Sequence, residues 1–274
     1  MKQQVAIIGY GFVGKAMHQL FPEALIYNGE KHPVKVLIGK KKKILTYRDL
    51  NQADVAFVCV PTPTKTDGHC DISLVEGVVA KLSTPLIILR STVAPGTTDY
   101  LKKKYRKHLV FCPEYVGETT DHPLLNEKSR TFLILGGEKK DTNRAIELFQ
   151  EVYNASIKIR QMTALEAEVV KYLENRHIAF TVAECNEAYD LCRALGVDYH
   201  NIREAVFQDD PRMSPYWTFV YPDNRGFESK CIPKDIEAIA ALARDKGVPL
   251  TITEKILEVN KKWRLLHKRT VLQK

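Results

Sequence analysis

The chain is predicted to be an α/β protein whose first part is a parallel sheet wrapped by helices and whose second part is all helical. Three observations predict this. Short β-rich runs alternate with segments of helical spacing through the first half, a glycine-rich turn joins the first strand to the first helix, and a long stretch free of Pro and Gly follows residue 160. In order, the candidate strands are QVAIIG, ALIYN, VKVLI, DVAFVCV, LIILRS, HLVFC and TFLILGG, with SIKIR closing the sheet. Between them ISLVEGVVAKL, TTDYLKKKY and DTNRAIELFQEVY have helical spacing. From Thr163 to Leu195, apolar residues recur at Leu165, Val169, Leu173, Ala179, Val182, Cys185, Ala188, Leu191 and Leu195. One long helix is expected there, with Thr163 as N-cap, Glu166 in the capping-box position and Gly196 just past its end. A short helix (HNIREAVF), an aromatic and Pro-rich loop from Asp209 to Arg225, and helices over Lys234 to Lys246 and Ile252 to about His267 complete the reading. The expected domains are residues 1–160 and 161–274.

Composition allows two modest cores: 274 residues, 45% hydrophobic and 27% charged, are ordinary for a globular protein. No apolar run reaches the roughly 18 to 20 residues that span a bilayer, and MKQQVAIIGYG runs directly into a strand, so a cytoplasmic protein without membrane partners is expected. The formal charge of +8 suits an anionic ligand such as a nucleotide and does not point to nucleic acid. KKKK at Lys40 to Lys43 has no interleaved aromatics and reads as a solvated turn. The six cysteines form no CxxC pair and no zinc spacing, so no metal is expected. Cys59, Cys112, Cys185 and Cys192 read as core thiols.

VAIIGYGFVGKAM sets Gly9, Gly11 and Gly14 in GxGxxG spacing between an apolar strand and a helix. Gly9 permits the tight turn, Gly11 lets backbone approach a pyrophosphate, and Gly14 lets helix and strand pack closely. Together with Phe12 and Val13 this is a dinucleotide-binding loop of Rossmann type. Where an acidic residue would bind the adenosine ribose, the second strand ends in Asn28, with Glu30 and Lys31 nearby. An amide can pair with a hydroxyl but repels a 2′-phosphate less than a carboxylate does, so NAD is preferred over NADP.

Further segments follow in order: VPTPTKTDGHCD (Val60 to Asp71), STVAPGTT (Ser91 to Thr98), CPEYVGE (Cys112 to Glu118), AEVVKYLENRHIAF on the long helix, DPR (Asp210 to Arg212) and GFESKCIPKD (Gly226 to Asp235). With the glycine loop, these resemble UDP-glucose 6-dehydrogenase and its relatives, the nucleotide-sugar dehydrogenases. The resemblance implies NAD as cofactor, a nucleotide sugar as substrate and a homodimer built on the long helix. It also implies roles. Cys231 matches the nucleophile of a four-electron oxidation, in which a thiolate converts the aldehyde to a thiohemiacetal and then a thioester that water cleaves. Lys230, Lys234 and the helix beginning near Pro233 would stabilise that thiolate. Lys171 and Asn175, at i and i+4, match an oxyanion pocket. Asp235 would hold a water, Glu114 would act as general base, Glu118 would order cofactor, substrate and water, and Thr92 would position water or nicotinamide. Pro61, Thr62 and Lys234 would touch the cofactor, while Gly226 and Arg212 would touch the sugar nucleotide, Arg212 in a neighbouring subunit's site.

The match also departs from the family. Relatives read GFGGSC where this chain has GFESKC, so Glu228, Ser229 and Lys230 are expected to reshape the sugar pocket. PEFLRE in many relatives is PEYVGE here, with Gly117 in place of a bulky basic residue. Relatives carry a second α/β domain over the UDP moiety, and these 274 residues are expected to lack it. The alternatives are a β-hydroxyacid dehydrogenase, which needs no cysteine, and a non-catalytic dinucleotide-binding protein.

Overall fold

The computed structural model describes residues 3–29, 35–38, 41–117, 124, 126–229 and 231–272. Glu30, Lys31, Lys40, Glu118 and Lys230, which the sequence reading invoked, lie outside the described residues. The chain divides into two compact units, one of residues 1–63 and 71–171, the other of residues 64–70 and 172–274.

The first unit opens with β1 (Val5–Ile8), α1 (Phe12–Leu20) and β2 (Leu25–Tyr27). After them come β3 (Lys35–Ile38), β4 (Lys41–Ile44), α2 (Tyr47–Leu50), β5 (Val55–Val58), α3 (Ser73–Lys81), β6 (Leu86–Leu89), α4 (Thr97–Tyr105) and β7 (Leu109–Phe111). A 3₁₀ turn at Glu127–Ser129 precedes β8 (Phe132–Gly137), α5 (Lys139–Gln150), β9 (Lys158–Met162) and α6 (Ala164–Leu195). The sheet order is β2-β1-β5-β6-β7-β8-β9. Strands β1, β5 and β6 are buried at every position, because both sheet faces are covered: Ile7, Phe57, Ile88 and Leu133 pack in one layer and Ile8, Val58, Leu89 and Phe111 in the other.

Two expectations need correction. The sheet is not wholly parallel, since β8 runs antiparallel to β7, with Val110 opposite Gly137 and Phe111 opposite Gly136. The described part of that connection contains a 3₁₀ turn and no α-helix, whereas a parallel return needs a crossover. VKVLI does not join the sheet, and KKKK is not simply a turn: Lys41–Ile44 form β4, antiparallel to β3 in a separate two-stranded ribbon with Ile38 opposite Lys41. Lys43 and Ile44 are exposed, and Lys43 donates to Asp49 at 2.5 Å.

Helix α6 begins as its sequence requires. The Thr163 amide and hydroxyl donate to Glu166 Oε2 at 2.8 and 2.7 Å, and the Glu166 amide donates back to Thr163 Oγ1 at 3.3 Å. Gly196, with φ +71°, ends it. The two compact units divide between residues 171 and 172, inside this helix. Its first turns belong to the sheet core: Ala167 is fully buried there, Val170 packs against the same layer, and the Glu168 carboxylate accepts from the Gly96 and Thr98 amides and the Thr98 hydroxyl at 2.5–2.8 Å. Burial pushes the Glu168 carboxyl up to about 7, against those donors.

The second unit continues with α7 (Tyr199–Arg203), a π-helical turn at Glu204–Gln208, α8 (Ile232–Asp245) and α9 (Thr251–Leu272). Cys185, Cys192, Tyr199 and Val220 form one buried cluster, and Ala179, Phe227 and Ile236 another. Leu173, Leu191 and Leu195 of α6 remain exposed. Among the described residues no helix is long and apolar enough to cross a membrane.

Candidate active site

In the first unit the ends of β1, β5, β6 and β7 lie along one edge of the sheet, and each carries a segment singled out in the sequence. Strand order reverses beside β1, which has β2 on one side and β5 on the other, so the glycine loop sits at a topological switch point. Gly9 has φ +92°, and a Cβ there would lie 2.6 Å from the Cys59 carbonyl oxygen. A Cβ on Gly14 would land on the Gly9 carbonyl oxygen, so only glycine lets α1 pack this close to its strand. At Gly11, the N-cap of α1, a Cβ would meet no protein atom within 4 Å, and the first turn of α1 contains no acidic side chain. This open helix start fits the pyrophosphate of a dinucleotide, through backbone N–H groups and the positive end of the helix. Phe12 beside it is exposed and Val13 half-buried. Gly14→Ala is expected to weaken NAD binding by at least tenfold, about 1.4 kcal/mol, with calorimetric titration as the check.

Asn28 lies just beyond β2, and its Oδ1 accepts the Tyr10 N–H at 2.7 Å. It therefore shapes the glycine loop besides occupying the ribose position of the motif. The loops after β5 and β6 are tied together: Thr62 Oγ1 donates to the Thr92 carbonyl at 2.7 Å and Ser91 Oγ to the Val60 carbonyl at 2.6 Å. Pro61 is exposed, Thr62 buried and Thr92 half-buried.

After β7, Glu114 is held by three donors. Arg90 Nη2 donates to its Oε2 at 2.6 Å, and the Tyr115 and Val116 amides donate to its Oε1 at 2.7 and 2.5 Å. Behind it is a buried network that the sequence reading missed. Arg90, 1% exposed, also donates to Glu127 Oε1 at 2.9 Å and to the Pro113 carbonyl at 3.2 Å. Arg130 Nη1 and the Tyr153 hydroxyl donate to that same Glu127 oxygen at 2.7 and 3.0 Å. Burial disfavours charge on Glu127, but the Arg90 and Arg130 guanidiniums outweigh it and hold the carboxyl below its usual range. The available signal was a charged Arg90 at the end of the apolar run LIILR. Such a residue is buried only if paired. Lys171, in the last turn of α6 that belongs to this unit, is 9% exposed, with its Nζ 4.9 Å from the Tyr115 ring centre. Arg130 lies 4.8 Å from the same ring.

In the second unit Cys231 is the N-cap of α8 and is exposed, whereas the other five cysteines are buried. Burial pushes the Cys59 and Cys185 thiols up, as expected for unreactive core groups. Pro233 lies in the first turn of α8, where its missing N–H costs nothing. One turn into the helix, Asp235 is fully buried and both its oxygens are engaged, Oδ2 by Asn175 Nδ2 and Oδ1 by Lys234 Nζ, each at 2.5 Å. Asp235 thus holds Asn175 and Lys234 in place. The Gly226 amide donates to Asn186 Oδ1 at 3.1 Å, and a Cβ on Gly226 would strike Asn260 Oδ1, so this glycine has a packing role. Glu228 is ion-paired with Arg264. Arg212 is exposed and forks onto Asp210, with Nε and Nη2 at 2.9 and 2.6 Å.

A switch-point glycine loop on a mostly parallel sheet, followed by a helical unit with an exposed cysteine at a helix start, defines the class: an NAD-binding protein of Rossmann type with a second, helical domain. The chain matches the NAD binding domain of the UDP-glucose/GDP-mannose dehydrogenase family over residues 29–157 and that family's central domain over residues 165–262. It belongs to the UDP-glucose/GDP-mannose dehydrogenase family. The first match begins after the glycine loop, so the reading of that loop stands on its geometry. Among similar proteins is UDP-glucose 6-dehydrogenase YwqF of Bacillus subtilis, 25% identical over 226 residues, which are 78% of this chain and 50% of that one. UDP-glucose 6-dehydrogenase AglM of Haloferax volcanii is 25% identical over 308 residues, covering 94% and 69%. The fold matches a UDP-glucose dehydrogenase structure from Pyrobaculum islandicum with a TM-score of 0.79 and 22% identity, over 96% of this chain and 68% of that one. The chain spans about half the length of the first curated relatives it matches.

Proposed function

We propose that the chain performs NAD-dependent oxidation of a nucleotide sugar, UDP-glucose to UDP-glucuronate, by two hydride transfers. The observation that carries this reading is Cys231: of six cysteines it alone is exposed, and it stands at the start of an α-helix. Bound NAD would accept a hydride from the substrate carbon in each oxidation. Between the two, Cys231 Sγ bonds to the aldehyde carbon as the carbonyl π pair moves to oxygen, giving a thiohemiacetal. Loss of the second hydride re-forms the carbonyl as a thioester, and water releases the acid and the thiol.

The oxyanion that forms at each addition calls for a cation and a hydrogen-bond donor, the roles assigned to Lys171 and Asn175. Their spacing of one helical turn and the burial of both support this. Lys171→Met is expected to lower turnover by about 10²–10³ with little effect on NAD affinity, measured by cofactor reduction and by titration. Glu114 is proposed as general base for the hydrolysis, Glu118 and Thr92 as residues that order water and cofactor, and Asp235 as a supporting residue that holds Asn175 and Lys234. The exposed Leu173, Leu191 and Leu195 support a homodimer along α6, and Arg212, with its exposed fork, is proposed to reach the neighbouring subunit's sugar nucleotide.

Counting reduced cofactor per substrate across a panel of sugar nucleotides tests the reading. Two per sugar is the expected result. One per small hydroxyacid would instead identify a β-hydroxyacid dehydrogenase, and NAD binding without reduction would identify a binding protein.

A further inference from the structure

Buried polar residues recur along α6. Glu168, Lys171 and Asn175 stand at i, i+3 and i+7, one stripe of the helix, and are 0, 9 and 4% exposed. Lys171 and Asn175 are assigned to the oxyanion, and Glu168 lies outside that pair. Its carboxylate reaches the turn that follows β6: Oε2 accepts the Gly96 N–H at 2.5 Å, and Oε1 accepts the Thr98 N–H at 2.8 Å and the Thr98 hydroxyl at 2.6 Å. Gly96, with φ +95°, is the N-cap of α4 and has no side chain to cap it, so a residue of α6 supplies the cap from another element. The turn held in this way is compact. Val93 is fully buried, and the Thr97 amide and hydroxyl both donate to the Ala94 carbonyl, at 3.0 and 2.5 Å. Thr92 begins the turn, its carbonyl accepting from the Thr62 hydroxyl.

We propose that Glu168 is a positioning residue for the reaction: it fastens the turn that begins at Thr92 to α6, about one helical turn ahead of Lys171, and so fixes the spacing between those two groups. This rests on the roles proposed for Thr92 and Lys171 and adds the residue that holds them in relation to each other. The anchor holds in either state of the acid. As a carboxylate, Glu168 accepts all three donors. Burial, reinforced by Asp99 of α4, pushes the carboxyl up to about 7, so the neutral acid is also populated near neutral pH. The acid still accepts both amides and passes its own proton to Thr98 Oγ1, which then accepts instead of donating. Glutamine has no such freedom, because its NH2 has no lone pair and meets a backbone N–H in either orientation.

Hydrogen exchange of the backbone amides in peptides covering residues 93–101, followed by mass spectrometry on the full chain, reads the anchor without substrate. Turnover, KM and NAD affinity read its consequence. Glu168→Gln is expected to speed exchange in that segment by about tenfold or more while a peptide from α5 exchanges as before. It should lower kcat by about 10- to 100-fold and leave NAD affinity within about twofold, since the displaced groups act at the reacting carbon. Thr98→Val, which removes one of the three donors, should move both readouts in the same direction by less, and Thr98→Ser, which keeps the hydroxyl, should restore them. This pair decides the matter if Glu168→Gln does not fold. Unchanged exchange in Glu168→Gln overturns the proposal, as does a Thr98→Ser variant impaired as much as Thr98→Val. Faster exchange with wild-type kcat overturns the positioning role while the proposed reaction stands. A wild type that reduces no cofactor with any sugar nucleotide overturns the reaction and this role with it, while exchange still decides whether Glu168 holds the turn.

Discussion

Cys231→Ser is expected to stop the four-electron reaction and lower overall turnover by about 10³ or more. Oxidising the alcohol to the aldehyde needs a hydride acceptor and a base, and neither is Cys231. The aldehyde, however, has no good hydride to give until a nucleophile has added to it. A serine hydroxyl ionises far above neutral pH, whereas a thiol at a helix start is partly thiolate there. The variant should therefore reduce at most one cofactor per sugar, or hold the intermediate, while binding NAD as before. Stopped-flow absorbance of the reduced cofactor, with product analysis, measures this. Two reduced cofactors per sugar at the wild-type rate in Cys231→Ser would remove Cys231 from the mechanism.

The second large effect is on folding. Arg90→Met is expected to destabilise the first unit by about 3–5 kcal/mol, the cost of breaking a buried ion pair from one side. Arg90 is 1% exposed, and its loss leaves the fully buried Glu127 with Arg130 as its remaining cation and takes the Arg90 contact from Glu114. The pH dependence has a definite sign. In the wild type, the lowered Glu127 carboxyl contributes stability that is present above its ordinary range and lost as pH falls through its depressed value. In Arg90→Met, burial prevails over one remaining guanidinium, so the deficit should be greatest near neutral pH and shrink once Glu127 is protonated. Urea unfolding at several pH values is the measurement. A loss under about 1 kcal/mol at neutral pH would show that solvent replaces the ion pair. Adding Glu127→Leu should recover part of the loss, because the buried charge is then removed with its partner.

The same network shows how far the sequence could lead. The motif that carries Glu114 singled it out as a candidate, but its immediate partners, Arg90 and the amides of Tyr115 and Val116, were not legible. Arg90, Glu127 and Arg130 are distant or unremarkable in the chain, and only the pairing of β6, β7 and β8 brings them together. Asp235 is a similar case. Its position one turn after Cys231 could be read directly, while its partner Asn175 lies 60 positions away and comes to it by packing.

What the sequence by itself determined is local. Gly9 and Gly14 specify the strand-to-helix turn because no larger residue fits there, and the Thr163–Glu166 box and Gly196 delimit α6 because these are interactions within a few residues. Cys231 at a helix start follows from Pro233 and the apolar spacing after it. Tertiary structure decided the rest: the reversed direction of β8, the pairing of Lys41–Ile44 as a strand, the exposure of one cysteine in six, and the buried ions behind Glu114. Strand order, burial and ion pairing depend on groups far apart in the chain, and their energies are set by which neighbours exclude water, a property that no short segment carries.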